Sequence, residues 1–314
     1  MQRVLVTGGL GFIGSNLVSV LDELGVRVVV VDDLSSARDD IDVVKKSLPR
    51  VEFIESCFAS PEILDRIKDG EFETVFHVAA IPRVSLSVEQ PALTTHNNVT
   101  KSVDLLEACR GNIRRFIFSS SSSVYGGADQ LPTPVDHPKN PKSPYAWQKS
   151  CLEDLICMFC QLYDLDAVCL RYFNVFGPGQ FGGGAYSTAI SSWCHAIKHD
   201  LPLRKDGSGE QSRDMCYIDN VVNANILAMK SDKKFMGEKF NVACGDRTSN
   251  NQILEALKER FGELKVHQVP FRKGDVMHTQ ADTSMIARQL GYEPLVRFWE
   301  GFEKTLAWWE LSGD

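Results

Sequence analysis

The most constraining feature of the sequence is a glycine-rich loop close to its amino terminus. Residues 4–7 form a short apolar run typical of a strand, and the loop GGLGFIG of residues 8–14 follows at once. Apolar residues at 17, 18 and 21 then recur at helical spacing. Glycines at 8, 11 and 14 allow a tight turn, close approach of the backbone to a pyrophosphate and close packing of the helix on the strand. The pattern predicts a dinucleotide site at a helix amino terminus.

Two aspartates follow the next predicted strand. That strand covers residues 26–31 and leads into Asp32 and Asp33, about where a dinucleotide site places a carboxylate for the adenosine ribose hydroxyls. A carboxylate at this position also repels a ribose phosphate, so it favours NAD over NADP. Asp32 is the predicted ligand, whereas Asp33 also fits the beginning of a polar loop.

Strand and helix patterns alternate over roughly the first half of the chain. Strand-like segments recur at residues 51–54, 74–78, 115–119 and 167–171, with helical patterns around residues 61–68, 91–110 and 143–163. This alternation predicts an α/β fold, a Rossmann-type doubly wound parallel sheet covered on both faces. We assign residues 1–172 to an NAD-binding domain with a return segment near 214–232. Beyond Asn174 the pattern of strands and helices changes. We therefore assign residues 173–314 to a smaller α/β substrate-binding domain, which ends with an amphipathic helix over 298–309.

Composition narrows the function classes. The 314 residues carry a formal net charge of -7, which argues against a general nucleic-acid footprint. No apolar run has the length of a membrane span and no signal-peptide pattern opens the chain, so we expect a cytoplasmic protein without a membrane partner. Nine cysteines, an odd number, fit reduced thiols. Neither the C-x-x-C of Cys157 and Cys160 nor the pair His195 and His199 has further ligands nearby, so no metal site is predicted.

Tyr145 and Lys149 lie in the stretch SPYAWQK of residues 143–149. On a helix, their spacing puts both side chains on one face. A free tyrosine titrates near about 10, so a proton acceptor near neutrality needs a pKa that is lower by roughly 3. A nearby cation acts in this direction, and Lys149 or an oxidised nicotinamide ring could supply it. By itself the pair also fits an aromatic residue beside a solvated lysine.

A run of serines occupies residues 119–123, where the strand predicted over 115–119 ends. Active groups of open parallel sheets gather beyond the carboxyl ends of the strands, so these hydroxyls lie where chemistry is expected. The alternative is a serine-rich strand exit whose hydroxyls satisfy backbone groups.

Five motifs occur together and in order: TGGLGFIG from Thr7, SSSSSVYG from Ser119, YAWQK from Tyr145, RYFNVFGPG from Arg171 and RDMCYIDNVVNA from Arg213. Over almost its full length the chain therefore resembles the extended short-chain dehydrogenases/reductases. More specifically, it resembles the NAD-dependent UDP-sugar 4-epimerases, the UDP-glucose / UDP-N-acetylglucosamine 4-epimerase group. The resemblance implies an isomerase that holds NAD tightly and inverts carbon four of a UDP-hexose through a 4-keto intermediate.

The resemblance places catalysis on Ser121, Tyr145 and Lys149. Tyr145 would remove the proton of the carbon-four hydroxyl while hydride passes to nicotinamide, and the hydride would return to the other face of the keto-sugar. Ser121 would bridge that hydroxyl and Tyr145, while Lys149 would lower the pKa of Tyr145 and hold the nicotinamide ribose. Dehydratase relatives carry an Asp-Glu pair, and decarboxylase relatives a glutamate, where this chain has Ser122 and Ser123. Epimerisation is therefore favoured over lyase chemistry.

The resemblance also implies contacts to NAD at the strand exits of the first domain. The implied residues are Gly8, Gly11, Phe12, Ile13, Gly14, Asp32, Asp33, Leu34, Ser35, Ser36, Cys57, Phe58, Val78, Ala79, Ala80, Asn98, Ser119, Ser121, Tyr145, Lys149 and Phe173. Cys57 replaces an aspartate often found near the adenine, so we assign no strong adenine hydrogen bond there.

Substrate contacts are implied in the same way. The implied residues are Ser121, Ser123, Tyr145, Asn174, Arg213, Arg272, Asp275 and Thr279. The two arginines match pyrophosphate ligands, although each could also form a surface ion pair, and Asp275 matches a uridine-ribose ligand. Lys205 and Asp206 occupy a stretch that is often apolar near the uracil, which leaves the base preference open.

Thr279 bears on the choice of sugar. A tyrosine can occupy this position in relatives restricted to unmodified hexoses, and smaller residues leave room for a 2-acetamido group. We therefore hypothesise that the chain accepts UDP-N-acetylglucosamine as well as UDP-glucose, the alternative being that Thr279 is a tolerated polar residue.

Other functions stay open at this point. They are UDP-glucuronate 4-epimerisation, dehydration or decarboxylation of a nucleotide sugar, and a non-catalytic NAD-binding regulator. The resemblance also suggests a homodimer joined through the helices predicted near residues 91–110 and 143–163.

Overall fold

The computed structural model describes residues 2–35, 41–180, 182, 188–271 and 276–311. The strands are β1 Arg3–Thr7, β2 Arg27–Asp32, β3 Glu52–Glu55, β4 Thr74–His77, β5 Arg115–Ser121, β6 Ala167–Tyr172, β7 Val175–Phe176, β8 Leu203–Asp206, β9 Ser212–Arg213, β10 Cys216–Tyr217, β11 Met236–Val242, β12 Thr248–Ser249 and β13 Val266–Val269. The α-helices are α1 Phe12–Glu23, α2 Ile41–Ser47, α3 Pro61–Lys68, α4 Val84–Glu89, α5 Pro91–Thr95, α6 Lys101–Cys109, α7 Pro144–Tyr163, α8 Ala189–Lys198, α9 Ile218–Lys230, α10 Asn250–Phe261, α11 Ser284–Leu290 and α12 Phe298–Leu311.

A seven-stranded parallel sheet is the centre of the molecule, in the order β11-β6-β5-β4-β1-β2-β3. The order reverses between β1 and β4, and such a switch point opens a crevice at the carboxyl ends of the strands. The predicted doubly wound parallel sheet is therefore confirmed.

Side chains of the central strands alternate between two covered faces. In β1, Val4 and Val6 pack in the cluster that includes α1 and α9, whereas Leu5 packs in the cluster that includes α3, α6 and α7. All three side chains are fully buried. Burial on both faces explains why the strands of a parallel sheet are continuous apolar runs in the sequence.

The chain returns to this sheet after leaving it. The predicted return segment near 214–232 contains α9, but the seventh strand, β11, lies beyond that segment and pairs with β6. The sequence did not indicate this edge strand over Met236–Val242, because Glu238 and Lys239 interrupt its apolar pattern. The division into domains at residue 172 stays a prediction.

The helix predicted over residues 91–110 is interrupted. One turn of π-helix, His96–Thr100, separates α5 from α6. Single π-turns often occur at functional sites. Here the turn contains Asn98, which is buried and whose side chain binds the loop after β4. The helical periodicity of the sequence could not predict this interruption, because it depends on tertiary hydrogen bonds of Asn98.

The remaining elements form a smaller region beside the carboxyl ends of the sheet strands. Its short pairs are β8 with β13, β9 with β12, and β7 with β10. Helix α12 packs against this region through Phe298 and Phe302. None of the helices in the described ranges is long and apolar enough to cross a membrane.

Candidate active site

The glycine loop joins β1 to α1 in a conformation that leaves no room for a side chain at Gly8 or Gly14. Gly8 has a φ of +69°. A Cβ atom on Gly14 would lie 2.1 Å from the carbonyl oxygen of Gly8, whereas one on Gly11 would meet that oxygen at 3.5 Å. Gly14 is therefore required by the packing of the loop itself. Gly11 is not, and its missing side chain leaves space at the amino terminus of α1.

Asp32 ends β2 beside this loop. One carboxylate oxygen accepts a hydrogen bond from the Leu10 N–H at 2.9 Å, and the other accepts from the Leu34 N–H at 2.9 Å. Burial raises the pKa of Asp32, opposed by these two bonds. Because each oxygen of a carboxylate has two lone pairs, each retains one for a ribose hydroxyl.

Asp33 has a different role. One of its oxygens accepts from both the backbone N–H and the hydroxyl of Ser35, at 3.1 and 2.5 Å. It therefore caps a turn of its own loop, as the alternative interpretation of this residue expects.

A cavity of about 620 Å³ runs from the glycine loop to the end of β5. Predicted cofactor residues that line it are Gly8, Gly11, Phe12, Ile13, Gly14, Asp32, Asp33, Ser35, Phe58, Val78, Ala79, Ala80, Ser119, Tyr145 and Lys149. Leu34, Cys57, Asn98, Ser121 and Phe173 are not among its lining residues. Ser36 lies outside the described residues.

The sequence analysis missed several lining residues, among them Arg83, Asn97, Tyr172, Gln180 and Thr188. Tyr172 ends β6, so the rule that ligands bind at the carboxyl ends of strands could have found it. Its hydroxyl lies 3.1 Å from Ser119 Oγ and 2.8 Å from the Asn225 Nδ2 atom that donates to it.

The predicted catalytic side chains meet at one end of this cavity. Ser143 caps α7, its hydroxyl accepting from the Ala146 N–H, and the helix then presents Tyr145 and Lys149 on one face. The Ser121 hydroxyl acts on the pKa of the Tyr145 phenol as a hydrogen-bonding neighbour, and Lys149 Nζ donates to the Ser119 carbonyl oxygen at 2.7 Å. Strand β5 and helix α7 thus bring serine, tyrosine and lysine together.

Burial changes the pKa values of both Tyr145 and Lys149. Burial raises the pKa of Tyr145 to about 12, and the hydrogen bond from Ser121 opposes this. Burial also lowers the pKa of Lys149 to about 8. In the protein alone Lys149 Nζ is bonded to the backbone of β5, and the lowering of the Tyr145 pKa by Lys149 stays a prediction for the NAD-loaded enzyme.

The next two serines form a short 3₁₀ turn over Ser122–Tyr125. Ser121 Oγ accepts from the Ser123 N–H at 3.2 Å. The hydroxyl of Ser123 is buried and has no hydrogen-bond partner within the described part of the chain. Ser123 therefore has a free donor and acceptor close to Ser121, which suits its predicted contact with a sugar.

The predicted substrate residues of the smaller region converge on Asp214. The Asn174 amide donates to the Asp214 carbonyl oxygen at 3.1 Å, and Thr279 Oγ1 accepts from the Asp214 N–H at 3.2 Å. Arg213 is adjacent in the chain and donates to the carbonyl oxygens of Ser212 and Met277, at 3.0 and 3.1 Å. Arg272 and Asp275 lie outside the described residues.

Asp214 itself was missed. Its buried carboxylate accepts from the N–H groups of Cys244, Gly245 and Ala281, each at 3.0 Å. Burial raises its pKa to about 7, and the three N–H donors oppose this. The aspartate therefore holds three separate segments together behind Asn174 and Thr279.

Asn98 is a buried support for the loop after β4. Asn98 Oδ1 accepts from the Ile81 N–H, and Asn98 Nδ2 donates to Ile81 O and Gln148 Oε1. The amide is thus fully used within the protein, and what the structure assigns to Asn98 is support of the loop after β4 rather than a place on the cavity wall.

His77 lies between Thr7 and Ser102, with 2.8 Å on each side. Ser102 donates to the Asn98 carbonyl oxygen, so it must accept from His77 Nε2–H. His77 Nδ1 then accepts from the Thr7 hydroxyl, which in turn accepts from the Ala79 N–H. Burial lowers the pKa of His77 to about 3, so the ring stays neutral near pH 7.

No group of three or more potential metal ligands occurs among the described residues. All nine cysteines are free thiols. The rings of His195 and His199 are tilted by 44° with centroids 4.3 Å apart, and no carboxylate among the described residues completes a site there.

The sequence profile of the NAD dependent epimerase/dehydratase family matches residues 4–243. The chain belongs to this family.

Three solved structures are similar over nearly the whole chain. UDP-glucose 4-epimerase from Thermotoga maritima, with UDP-glucose, is 35% identical, with a TM-score of 0.91 and coverage of 98% of this chain and 99% of that one. UDP-N-acetylglucosamine 4-epimerase from Methanobrevibacter ruminantium M1, in complex with UDP-N-acetylmuramic acid, is 34% identical (TM-score 0.91, 98% of each chain). UDP-glucuronic acid 4-epimerase from Bacillus cereus, with UDP-glucuronic acid and NAD, is 29% identical (TM-score 0.89, 98% and 99%).

These similarities confirm the predicted resemblance to the UDP-sugar 4-epimerase group, the isomerase class and NAD as cofactor. The roles of individual residues stay predictions.

Proposed function

We propose that the enzyme inverts carbon four of UDP-hexoses, interconverting UDP-glucose with UDP-galactose and UDP-N-acetylglucosamine with UDP-N-acetylgalactosamine. The observation that carries this proposal is the position of Tyr145 and Lys149 beside the end of β5, in a cavity that begins at the glycine loop. A proton-transfer group at this position lies within reach of a sugar beside the cofactor.

The residues of the cavity fit NAD. The side-chain-free Gly11 at the start of α1 leaves room for the pyrophosphate, and the two free lone pairs of Asp32 suit the ribose hydroxyls. Lys149 reaches the cavity from the opposite end. When bound, NAD supplies the acceptor and later the donor of the hydride at carbon four.

The protein's own part is positioning and proton transfer. Tyr145 accepts the proton of the carbon-four hydroxyl and returns it, while Ser121 holds that hydroxyl and the phenol together. Ser122 and Ser123 carry no carboxyl group, and an elimination would need an acid and a base there. The described site therefore supports a reversible reaction in which Tyr145 serves first as base and then as acid.

Support for N-acetylated sugars comes from Thr279. Its hydroxyl accepts from the Asp214 N–H and the Asn174 amide, which holds in place a side chain smaller than the tyrosine of some relatives. A 2-acetamido group needs the space that a smaller side chain leaves. The competing interpretation is that Thr279 serves only the loop that contains Asp214.

Product analysis by proton NMR tests the proposal. The purified enzyme, without added NAD, is incubated separately with UDP-glucose, UDP-N-acetylglucosamine and UDP-glucuronate, and Tyr145→Phe is the matched control. We expect the 4-epimers of the first two substrates. Turnover of UDP-glucose alone contradicts the acceptance of N-acetylated sugars, turnover of UDP-glucuronate alone contradicts the hexose proposal, and loss of water or carbon dioxide identifies a lyase.

A regulator that only binds NAD would show no turnover of any of these sugars. In that case Tyr145→Phe would leave NAD binding and every other measurable property intact.

We also propose a homodimer. Apolar side chains on α4, α5 and α7 are exposed, including Val88, Leu93, Trp147, Met158 and Leu162. Exposed apolar groups on neighbouring helices suit a second copy of the chain. Sedimentation of the wild type and Trp147→Glu tests this, because a dimer should dissociate in the variant. A monomeric wild type would contradict it.

A further inference from the structure

Glu153 is a charged residue at the centre of the fold that neither the cavity nor the proposed reaction uses directly. It lies on α7 at helical spacing from Tyr145 and Lys149, and it is 0% exposed. Burying a carboxylate without partners is costly, so its partners indicate what it does.

The hydrogen-bond partners of Glu153 come from two neighbouring strands, and Lys139 Nζ lies 3.9 Å from Glu153 Oε2. Ser120 Oγ donates to Glu153 Oε1 at 2.6 Å. Arg171 donates from Nε to Oε1 at 2.8 Å and from Nη2 to Oε2 at 2.7 Å. Ser120 and Arg171 face each other in the register of β5 and β6. One carboxylate on α7 thus binds both members of a cross-strand pair.

The next cross-strand pair in the same register is Ser121 with Tyr172. Ser121 neighbours the Tyr145 phenol, and Tyr172 lines the cavity. One residue before Ser120 in β5, the Ser119 carbonyl oxygen accepts a hydrogen bond from Lys149. Glu153 lies on α7, the helix that carries Tyr145. It therefore binds β5 and β6 one residue before Ser121 and Tyr172.

Arg171 extends the connection. Its Nη1 donates to the Tyr125 hydroxyl at 2.8 Å, and that hydroxyl donates to Asn241 Oδ1 at 2.6 Å. Glu153 and Arg171 thereby also hold the 3₁₀ turn Ser122–Tyr125, which contains Ser123.

We propose that Glu153 is a positioning residue that, through Ser120 and Arg171, holds the end of β5 against α7 so that Ser121 and Tyr145 stay next to each other. The proposal rests on the proposed function, in which these two residues take part in proton transfer. A geometry error of about 1 Å at reacting groups can cost on the order of 100-fold in rate.

Charge adds a second effect of the same residue. The groups that face Lys149 are Tyr145 and Glu153 on α7, Cys169 on β6 and His77 on β4. Burial lowers the pKa of Lys149 to about 8, and the negative charge of Glu153 opposes this. Removal of that charge should make Lys149 lose its proton at a lower pH.

The chain contains a matched control. Arg115 and Asp166 form another buried, two-pronged ion pair at the opposite end of β5, with bonds of 3.0 and 2.7 Å. Asp166→Asn weakens a comparable pair on the same strand without touching the site. Any effect of Glu153 that only reflects lost stability should appear in this variant as well.

The experiment compares Glu153→Gln, Ser120→Ala and Asp166→Asn as NAD-loaded enzymes. We expect Glu153→Gln to lower kcat by about 10- to 100-fold with little change in KM, and to move the alkaline limb of the kcat profile to lower pH. Ser120→Ala, which leaves the charges in place, should lower kcat by less and leave that limb unmoved. Asp166→Asn should lower Tm and leave kcat and the pH profile unchanged.

A readout without turnover completes the test. The Tyr145 phenol is titrated by difference absorbance against Tyr145→Phe in each background. In Ser120→Ala we expect the phenol to titrate at higher pH, because Ser121 is held less firmly beside it. If Glu153→Gln does not fold, Ser120→Ala decides.

Unchanged kcat, pH profile and phenol titration in both variants, with only Tm reduced as in Asp166→Asn, overturn the proposal. A wild type that turns over none of the sugars contradicts the proposed function instead, and the phenol titration still decides the role of Glu153.

Discussion

Lys149 Nζ lies 5.9 Å from the centroid of the Tyr145 ring, yet it donates its hydrogen bond to the Ser119 carbonyl oxygen at 2.7 Å. The lysine is thereby fixed to the end of β5, the strand that also provides Ser121. The hydrogen bond to Ser119 therefore holds the ammonium group of Lys149 at the cavity. Burial raises the pKa of the Tyr145 phenol, and the neighbouring Ser121 hydroxyl opposes this.

Replacement of the phenol should remove activity and keep the fold. We expect Tyr145→Phe to lower kcat by about 10²- to 10⁴-fold, the range for loss of a positioned proton-transfer group. Tm should stay near the wild-type value, because the ring is retained. Tyr163→Phe, at the exposed end of the same helix, is the control and should keep full activity. A Tyr145→Phe enzyme with wild-type kcat would falsify the assigned base.

Two glycines of the loop should respond differently to alanine. Gly14→Ala places a Cβ atom 2.1 Å from Gly8 O, so both Tm and NAD binding should fall. Gly11→Ala meets the same atom at 3.5 Å, an ordinary contact, so the protein should keep its Tm but bind NAD more weakly. Thermal unfolding and calorimetric titration with NAD measure the two effects. Equal NAD affinity of Gly11→Ala and the wild type contradicts the proposed pyrophosphate position.

His77 should make the protein less stable in acid. Its pKa is lowered to about 3 in the folded protein, against about 6.5 when unfolded, so between these values the unfolded chain binds the extra proton. Stability therefore rises with pH across this window, and this residue contributes about 2 kcal/mol between pH 5 and 7. His77→Gln should flatten the dependence measured by urea unfolding. An equal slope in both proteins contradicts the neutral buried histidine.

Asp214 should be needed for both stability and substrate binding. At pH 8, above its pKa of about 7, the carboxylate accepts three backbone N–H groups. Asp214→Asn turns one acceptor into a donor, which should lower the free energy of unfolding by about 1–3 kcal/mol and raise KM. The exposed Asp219→Asn is the control for urea unfolding and kinetics. An unchanged KM in Asp214→Asn contradicts its support of Asn174 and Thr279.

Local patterns in the sequence were sufficient to predict the functional residues that act together with their neighbours in the chain. The glycine loop, Asp32 and the face shared by Tyr145 and Lys149 each follow from one strand end or one helix turn. The motifs in order also indicated the family, the NAD cofactor and the isomerase class.

Long-range contacts decided the rest. Glu153, Asp214 and His77 carried no signal in the sequence, because each acts through residues that only the folded sheet brings near. The sequence predicted that Lys149 would act on Tyr145, since both lie on one helix face. Only the tertiary structure showed that the lysine binds β5 and that Ser121 lies beside the phenol, because hydrogen-bond partners are chosen by proximity in the fold rather than along the chain.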